Sequence, residues 1–329
     1  MSVRIGLLGA ARIAPKALIQ PARSLSEVEV VAVAARDPAR AHAFARRYGI
    51  PRVHPDYAAL LADPTIEAVY LPLPNSLHAE WAARALQAGK HVLGEKPLAA
   101  NAREAEQLAT LAAASGRVLL EGFAYRYHPL AERLEALLAS GTLGQVRRYE
   151  AVFQAFILRP GDIRWRLELA GGSLMDTGCY PVSFVRWLAG AEPEVVAARA
   201  RLAAPQVDRT IWAELRFADG RTARVRGALR SWSGPQSAAR VVGTAGELRV
   251  LNPFHPSRPG YLLIVRSQRG RAWEVGRGED VYRCQLRAFA AAIRGEGVVR
   301  TGPVEAVGNL RLIDAIYRAA GLAPRGQLT

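Results

Sequence analysis

The sequence predicts an α/β protein: a doubly wound parallel sheet, then a second α/β domain with an open, mostly antiparallel sheet. Three observations predict it. Short apolar runs alternate with helical patterns through the first 123 residues, the rhythm of a parallel sheet covered on both faces. Extended runs separated by short turns fill 194–275, which implies antiparallel neighbours. The chain has 329 residues, enough for two domains, expected at 1–123 and 124–329.

The elements follow in order. "VRIGLLG" (3–9) reads as a buried strand, and 15–25 as a helix interrupted by Pro21. "VEVVAVAAR" (28–36) is a β-branched strand. Residues 37–49 carry Asp37 at the cap, Pro38 at the first helical position and Gly49 at the stop. Strands at 68–74, 91–95 and 117–123 alternate with helices at 76–88 and 101–115. A helix near 127–140 leads into "QVRRYEAVFQAFI", a Gly/Pro-punctuated loop and a helix over 172–189. Five extended runs follow, with "ADG" and "TAG" as turns, and helices at 280–294 and 303–320 close the chain.

Composition narrows the function. Half the residues are apolar and 22% are charged, the balance of a soluble globular protein. Two cysteines, Cys179 and Cys284, make neither a disulfide framework nor a four-ligand zinc site, so a reducing cytoplasm is expected. The N-terminus lacks the regions of a signal peptide. No apolar stretch approaches the roughly 18 residues of a membrane span. The net charge is +15, but its arginines are scattered among alanines with no aromatic-interleaved cluster, so no nucleic-acid partner is expected.

"GAARIA" (9–14) stands at the end of the first strand, where a Rossmann phosphate loop would stand. Of the G-x-G-x-x-G pattern only Gly9 survives; Ala11 and Ala14 hold the other positions. Both are small enough for close backbone approach and helix–strand packing. The loop's candidate cofactor contacts are Gly9, Ala11, Arg12 and Ile13. A carboxylate at the end of the second strand would suit NAD; the chain has Arg36, whose guanidinium suits a 2′-phosphate. Asp37 is better used as the next helix cap. NADP is therefore the expected cofactor, with NAD the alternative. Leu71 and Pro72 stand at another strand's carboxyl end, where ligands lie in this architecture. Asn75 and His78 follow, each readable as ligand contact or as local structure.

"GEKPLA" (94–99) poses the sharpest question. Of 44 basic residues only Lys16, Lys90 and Lys96 are lysines. Lys96 follows Glu95 at a strand's carboxyl end and precedes Pro97, which disfavours helical backbone at the lysine. An ammonium there can lose its proton when desolvated, whereas arginine stays charged. Lys96 is thus a candidate catalytic group. Further on, Asp176 and Tyr180 are four apart and share one helix face. Aimed at a crevice, they can bind and polarise a hydroxyl-bearing carbon; otherwise Asp176 caps its helix and Tyr180 fills a domain interface.

Taken together, "GLLGAARIA", "AARDP", "LPLPNSLH", "GEKPLA", "EGFAYRYHP", "DIRWRLELAGGSLMDTGCYP" and the tail "QLRAFAAAIRG" with "NLRLIDAIYRAAG" resemble the Gfo/Idh/MocA oxidoreductases nearly end to end. Tyr180, where inositol dehydrogenases have His, is similar to the NADP-linked branch of dihydrodiol and D-xylose dehydrogenases. The resemblance implies Lys96 as a catalytic group, Asp176 and Tyr180 in the substrate site and Glu95 beside the nicotinamide. It places Arg166 among candidate cofactor or substrate contacts, and "YR" at 125–126 and "WR" at 165–166 on the cleft. It also implies a homodimer or homotetramer associating through the open sheet.

The expected activity is hydride transfer between NADP(H) and a sugar, polyol or dihydrodiol. Lys96 and Tyr180 share the proton chemistry in either order, and Asp176 orients the substrate or Lys96. No metal is expected. The loop 155–170 and the face around 228–240 shape the substrate pocket. A non-catalytic nucleotide-binding regulator on the same fold is the alternative, and reduction of another carbonyl, imine or tetrapyrrole a third reading.

Overall fold

The computed structural model describes residues 2–159, 161–232, 234–268 and 270–326. The chain forms two compact units. The first comprises the chain up to Ala99, Arg103–Tyr127 and Asp280–Val307; the second comprises Ala100–Ala102, His128–Glu279 and the chain from Gly308 on.

The first unit is built on six parallel strands: β1 (Val3–Leu8), β2 (Val28–Ala34), β3 (Arg52–His54), β4 (Ala68–Leu71), β5 (His91–Gly94) and β6 (Leu119–Glu121). Their spatial order is β3-β2-β1-β4-β5-β6. The order reverses between β1 and β4, and a doubly wound sheet opens its ligand crevice beyond the carboxyl ends at such a reversal. The β1, β4 and β5 side chains are buried on both faces except Arg4 and His91, which is why these strands read as unbroken apolar runs.

Helix Pro38–Tyr48 is capped as expected. The Asp37 carboxylate accepts from Ala39 N and Arg40 N at 3.0 and 3.3 Å, and Gly49 ends the helix at φ +68°. The helix expected at 15–25 runs as a π-helical turn, Pro15–Ile19, continued by a short α-turn, Gln20–Ala22, that contains Pro21. The edge strand β3 and helix Tyr57–Ala62 carry no signal that the sequence reading used. β3 is three half-buried residues, too short for an apolar run. Helix Val281–Ile293 belongs to this unit, and its Val281, Leu286 and Phe289 join the core of Leu7, Ala14, Leu18 and Val33.

The second unit carries eight strands: β7 (Val146–Gln154), β8 (Glu194–Ala204), β9 (Val207–Arg216), β10 (Thr222–Ala228), β11 (Gln236–Gly243), β12 (Gly246–Leu251), β13 (Tyr261–Ser267) and β14 (Gly270–Gly276). Their order is β14-β13-β12-β11-β7-β10-β9-β8. All neighbours are antiparallel except β7 and β10. One face, with Ile211, Leu215, Val225, Val241, Val250 and Leu263, is buried, and helix Cys179–Ala189 packs across β7 and β10. On the other face Trp212, Arg226, Val152, Ala238, Leu251, Leu262 and Val275 form one cross-strand row. β14 escapes a sequence reading because its alternation leaves Trp273 and Val275 exposed. Among the described residues no helix is long and apolar enough to cross a membrane.

Candidate active site

In the first unit, β1 delivers the chain into Gly9, whose N–H donates to Ala34 O at 2.8 Å on β2. Gly9 takes φ +112°, and a Cβ there would lie 3.0 Å from Leu73 Cδ2 and 3.7 Å from Tyr57 Oη. Only glycine fits that turn without strain. Ala14 is fully buried, so the alanine in the third glycine position packs helix against strand as the motif requires. Arg12 is exposed and Ile13 is half-buried against the core.

Arg36 is exposed immediately beyond β2, while Asp37 is spent on its helix cap. Two residues outside the sequence reading complete this corner. Arg40 donates to Ala10 O at 2.8 Å, tying helix Pro38–Tyr48 to the glycine turn. Burial pushes the Tyr57 phenol up, opposed by a main-chain hydrogen bond from Arg36 and by the Arg36 and Arg40 charges. A turn that requires glycine, small neighbours and two guanidinium groups where a ribose phosphate would lie fits a phosphorylated dinucleotide.

Leu71 and Pro72 are buried at the end of β4. Asn75 opens a 3-10 turn, Asn75–Leu77, and neither that turn nor helix His78–Gln87 has a side-chain cap. His78 is 1% exposed. Its Nδ1 lies 2.7 Å from Pro97 O and its Nε2 2.8 Å from Leu73 O. The imidazole thus braces two turns at neighbouring strand ends. Burial holds its pKa below the ordinary value and the Lys96 charge adds to this, against the two carbonyls.

Lys96 and Glu95 are half-buried just beyond β5, and the Lys96–Pro97 peptide is cis. The turn is held from three sides. His78 faces Pro97 O. Leu98 N donates at 2.9 Å to Oε1 of Glu121, a fully buried carboxylate on β6. A Cβ on Gly122 would stand 3.0 Å from Gly94 O and 3.3 Å from Glu95 Cα, so residue 122 must be small for the turn to sit where it does. Tyr70 Oη donates to Glu95 Oε1 at 2.5 Å. Burial raises the Tyr282 phenol, and the Glu95 and Asp280 charges push it further. The other two lysines serve elsewhere: Lys90 Nζ donates to Asp63 O and Ile66 O at 2.8 Å, and Lys16 lies 5.8 Å from the Tyr282 ring centre.

In the second unit the helix expected at 172–189 begins as a π-helical turn, Leu174–Gly178, before helix Cys179–Ala189. Such wide turns concentrate at functional sites. Asp176 is half-buried on the turn. Its Oδ2 accepts from Arg164 Nε at 2.8 Å, and Arg164 also contacts Asp162 Oδ1 at 3.1 Å. The neighbouring Arg166 pairs instead with exposed Glu168 at 2.6 Å. Of the two arginines in "DIRWR", it is Arg164 that reaches the carboxylate; its spacing alone did not distinguish it. Tyr180 is 9% exposed among Phe153, Phe254 and His255, with ring centres at 5.1, 5.4 and 5.9 Å.

The turn is anchored from below. Asp208 is fully buried on β9. It accepts from Ser173 Oγ at 2.6 Å, Leu174 N at 2.8 Å, Arg325 at 2.9 Å and Tyr317 Oη at 3.0 Å. Arg325 also donates to Gly171 O at 2.7 Å. Burial pushes the Asp208 carboxyl up, and Arg325 with the other donors opposes it. In the loop 155–170, Pro160 lies outside the described residues, as does Ser233 in the face around 228–240. Among the described residues no three His, Cys, Asp or Glu side chains gather as a metal site.

Comparison with known proteins agrees with this architecture. Residues 3–123 match the oxidoreductase family with an NAD-binding Rossmann fold, and residues 131–249 match the GFO/IDH/MocA C-terminal domain. D-xylose 1-dehydrogenase (NADP(+)) 2 of Haloferax volcanii is 40% identical over 96% of both chains. A dTDP-3,4-didehydro-2,6-dideoxy-alpha-D-glucose 3-reductase of Saccharopolyspora spinosa is 37% identical over 90% of this chain and 89% of its own. A 3-ketoreductase from Actinomadura kijaniata, solved with NADP and TDP-benzene, superposes with a TM-score of 0.90 at 31% identity, covering 97% of this chain and 98% of that one.

Proposed function

The chain belongs to the Gfo/Idh/MocA family of oxidoreductases, and from that premise we propose that it transfers hydride reversibly between NADP(H) and a secondary alcohol or carbonyl carbon of a sugar. Polyols and dihydrodiols are the neighbouring substrate classes. The observation that carries this reading is Lys96 at the carboxyl end of β5, in a turn fixed by His78 and Glu121. Lys96 directly follows β5, and the carboxyl ends of parallel strands are where ligands lie in this architecture; Lys90 is instead bonded to Asp63 O and Ile66 O.

Gly9, Ala11, Arg12 and Ile13 would hold the pyrophosphate, Arg36 the 2′-phosphate, and Leu71, Pro72, Asn75 and Glu95 the nicotinamide end. Bound NADP supplies the hydride acceptor or donor. Tyr180 moves the proton at the reacting oxygen, and Lys96 stabilises the alkoxide character that develops there. Asp176, set by Arg164, accepts a substrate hydroxyl. Acid–base assistance of this kind contributes about 10²–10⁴-fold. NADP over NAD rests on Arg36 and on the NADP dependence of the Haloferax relative; sugars are favoured because the relatives named above act on them.

Two further assignments belong to this reading. Cys179 and Cys284 are buried thiols not joined in a disulfide, which favours a reducing cytoplasm. We assign self-association to the outer face of the eight-stranded sheet. Leu251, Trp273 and Val275 are 49, 69 and 64% exposed there, and across the sheet on the same face lie Arg–Glu pairs such as Arg224–Glu214 that a second copy can meet with the same pattern.

Following the absorbance of reduced NADP and NAD against a panel of aldoses, polyols and dihydrodiols tests the function. Turnover of at least one sugar with preference for NADP is expected. Tight NADP binding without turnover of any member of the panel would replace the enzyme with a nucleotide-binding regulator.

A further inference from the structure

The segment 252–260 joins β12 to β13 in the second unit and is held by its own side chains. Asn252 takes the left-handed conformation at φ +57°. Its Nδ2 donates to His255 O at 2.6 Å and to Gly260 O at 2.8 Å. Asparagine tolerates that conformation and bonds nearby backbone from it. Ser257 Oγ donates to Glu279 O at 2.7 Å. Gly260 takes φ +128°, and a Cβ there would stand 2.8 Å from Gly276 O. The loop is thus tied at both ends and in its middle, which fixes residue 255 in place.

What it fixes is an imidazole in an aromatic nest. Phe254 is 2% exposed, with its ring centre 5.4 Å from that of Phe153 and 5.8 Å from that of Phe184. His255 is half-buried. Its ring centre lies 5.5 Å from Phe153 and 5.9 Å from Tyr180, tilted by 44° to the phenol ring. Packing alone would be met by another phenyl ring, as it is at Phe153 and Phe254. Imidazole adds what phenyl lacks: in its neutral form one nitrogen donates and the other accepts. A hydroxyl also donates and accepts, so the ring can serve it in either sense. Ligand sites combine aromatic walls with a few polar groups that fix orientation. The C–H face of a sugar suits such walls, and its hydroxyls suit such groups.

We propose that His255 is a specificity-determining residue of the sugar site and selects substrates that carry a hydroxyl on the carbon next to the reacting one. The proposal rests on the hydride-transfer reading, in which Tyr180 meets the reacting oxygen. With that oxygen at the phenol, the neighbouring hydroxyl falls to the ring beside it. Sugars, polyols and dihydrodiols all carry such a hydroxyl; an alcohol with a single hydroxyl does not.

The test compares the full chain with His255→Phe, which keeps an aromatic ring in the nest and removes both nitrogens. Each is assayed with NADP and the best sugar substrate, then with the deoxy analogue that lacks the hydroxyl beside the oxidised carbon. In the wild type, removing the hydroxyl lowers kcat/KM by about 3–10-fold, the worth of one neutral hydrogen bond. His255→Phe lowers kcat/KM for the parent sugar by about the same factor and leaves the deoxy analogue unchanged, because the bond is already gone. If His255→Phe does not fold, His255→Ala is read by the same ratio. Equal losses on both sugars would make His255 a support for the loop, and unchanged kinetics on both would take it out of the site; either result overturns the proposal and leaves hydride transfer standing. A wild type that turns over no sugar removes the hydride-transfer reading, and this proposal with it.

Discussion

Arg164 Nε donates to Asp176 Oδ2 at 2.8 Å, across a loop that leaves the arginine side chain 38% exposed and the aspartate 19% exposed. The pair fixes the carboxylate's orientation before any substrate arrives. Arg164→Met should therefore raise KM for the sugar more than it lowers kcat, by about 10–100-fold if a charge-assisted hydrogen bond of 1.5–3 kcal/mol is lost. NADP affinity, read by fluorescence titration, should not change. A variant with unaltered sugar kinetics would assign the pair to loop stability alone.

Lys96→Ala should lower kcat by about 10²–10⁴-fold, and Lys96→Arg should not restore it, because the bulkier planar guanidinium spreads its charge and does not place it where the half-buried ammonium stands. Steady-state rates of both variants with NADP and the best sugar decide this. Near-native turnover by Lys96→Arg would leave the lysine a positioning charge.

The sequence made some of these groups visible and hid others for physical reasons. Gly9, Asp37 and Lys96 announce themselves, because a turn, a cap and a lone lysine are local chemistry. Glu121, Gly122 and Arg40 do not. Each acts on a segment distant in sequence but adjacent in the parallel sheet, through Leu98 N, Gly94 O and Ala10 O, and such contacts exist only once strand order is known. Arg164 and Arg166 look alike in "DIRWR"; the 3-10 turns Ile163–Trp165 and Leu167–Leu169 send them to different carboxylates. The π-helical turn at Leu174–Gly178 left no periodic signature, because five residues are too few to shift a pattern.

Arg36→Ser should weaken NADP binding by about 10–100-fold, the value of charge-assisted bonds to a phosphate, and leave NAD almost untouched. The ratio of kcat/KM for the two cofactors measures it directly. Arg40 stands close enough, with its bond to Ala10 O, to retain part of the preference. The double variant Arg36→Ser/Arg40→Ser should abolish the preference, and a ratio still favouring NADP would move the 2′-phosphate to another group.

His78 predicts a pH dependence of stability. Burial lowers its folded pKa below the ordinary 6.5. Below about 6.5 the unfolded chain therefore takes up a proton that the folded chain refuses. The sign follows: stability is full above that pH and falls as pH drops through it, by up to about 1.4 kcal/mol per pH unit for one proton. His91, whose pKa burial also lowers, adds in the same direction. Chemical denaturation at a series of pH values should show a shallower acid slope in His78→Gln than in the wild type. Equal slopes would mean that this imidazole accepts a proton in the folded protein.

The ion pair beneath the Asp176 turn gives the strongest expected loss of stability. Asp208 and Arg325 are both fully buried, and between them they receive or give bonds at Ser173, Leu174, Tyr317 and Gly171. Removing one partner of a buried pair leaves an uncompensated charge and costs about 3–5 kcal/mol. Arg325→Met should do this. Asp208→Asn/Arg325→Met, which removes both charges, should recover part of the loss. Because Ser173 and Leu174 lead into the turn carrying Asp176, the single variant should also raise KM for the sugar at temperatures where it remains folded, while NADP affinity stays near that of the wild type. Urea midpoints of the three proteins with sugar KM values separate the two effects: a stable Arg325→Met would show that solvent reaches Asp208, and a destabilised one with native KM would confine the network to holding the fold.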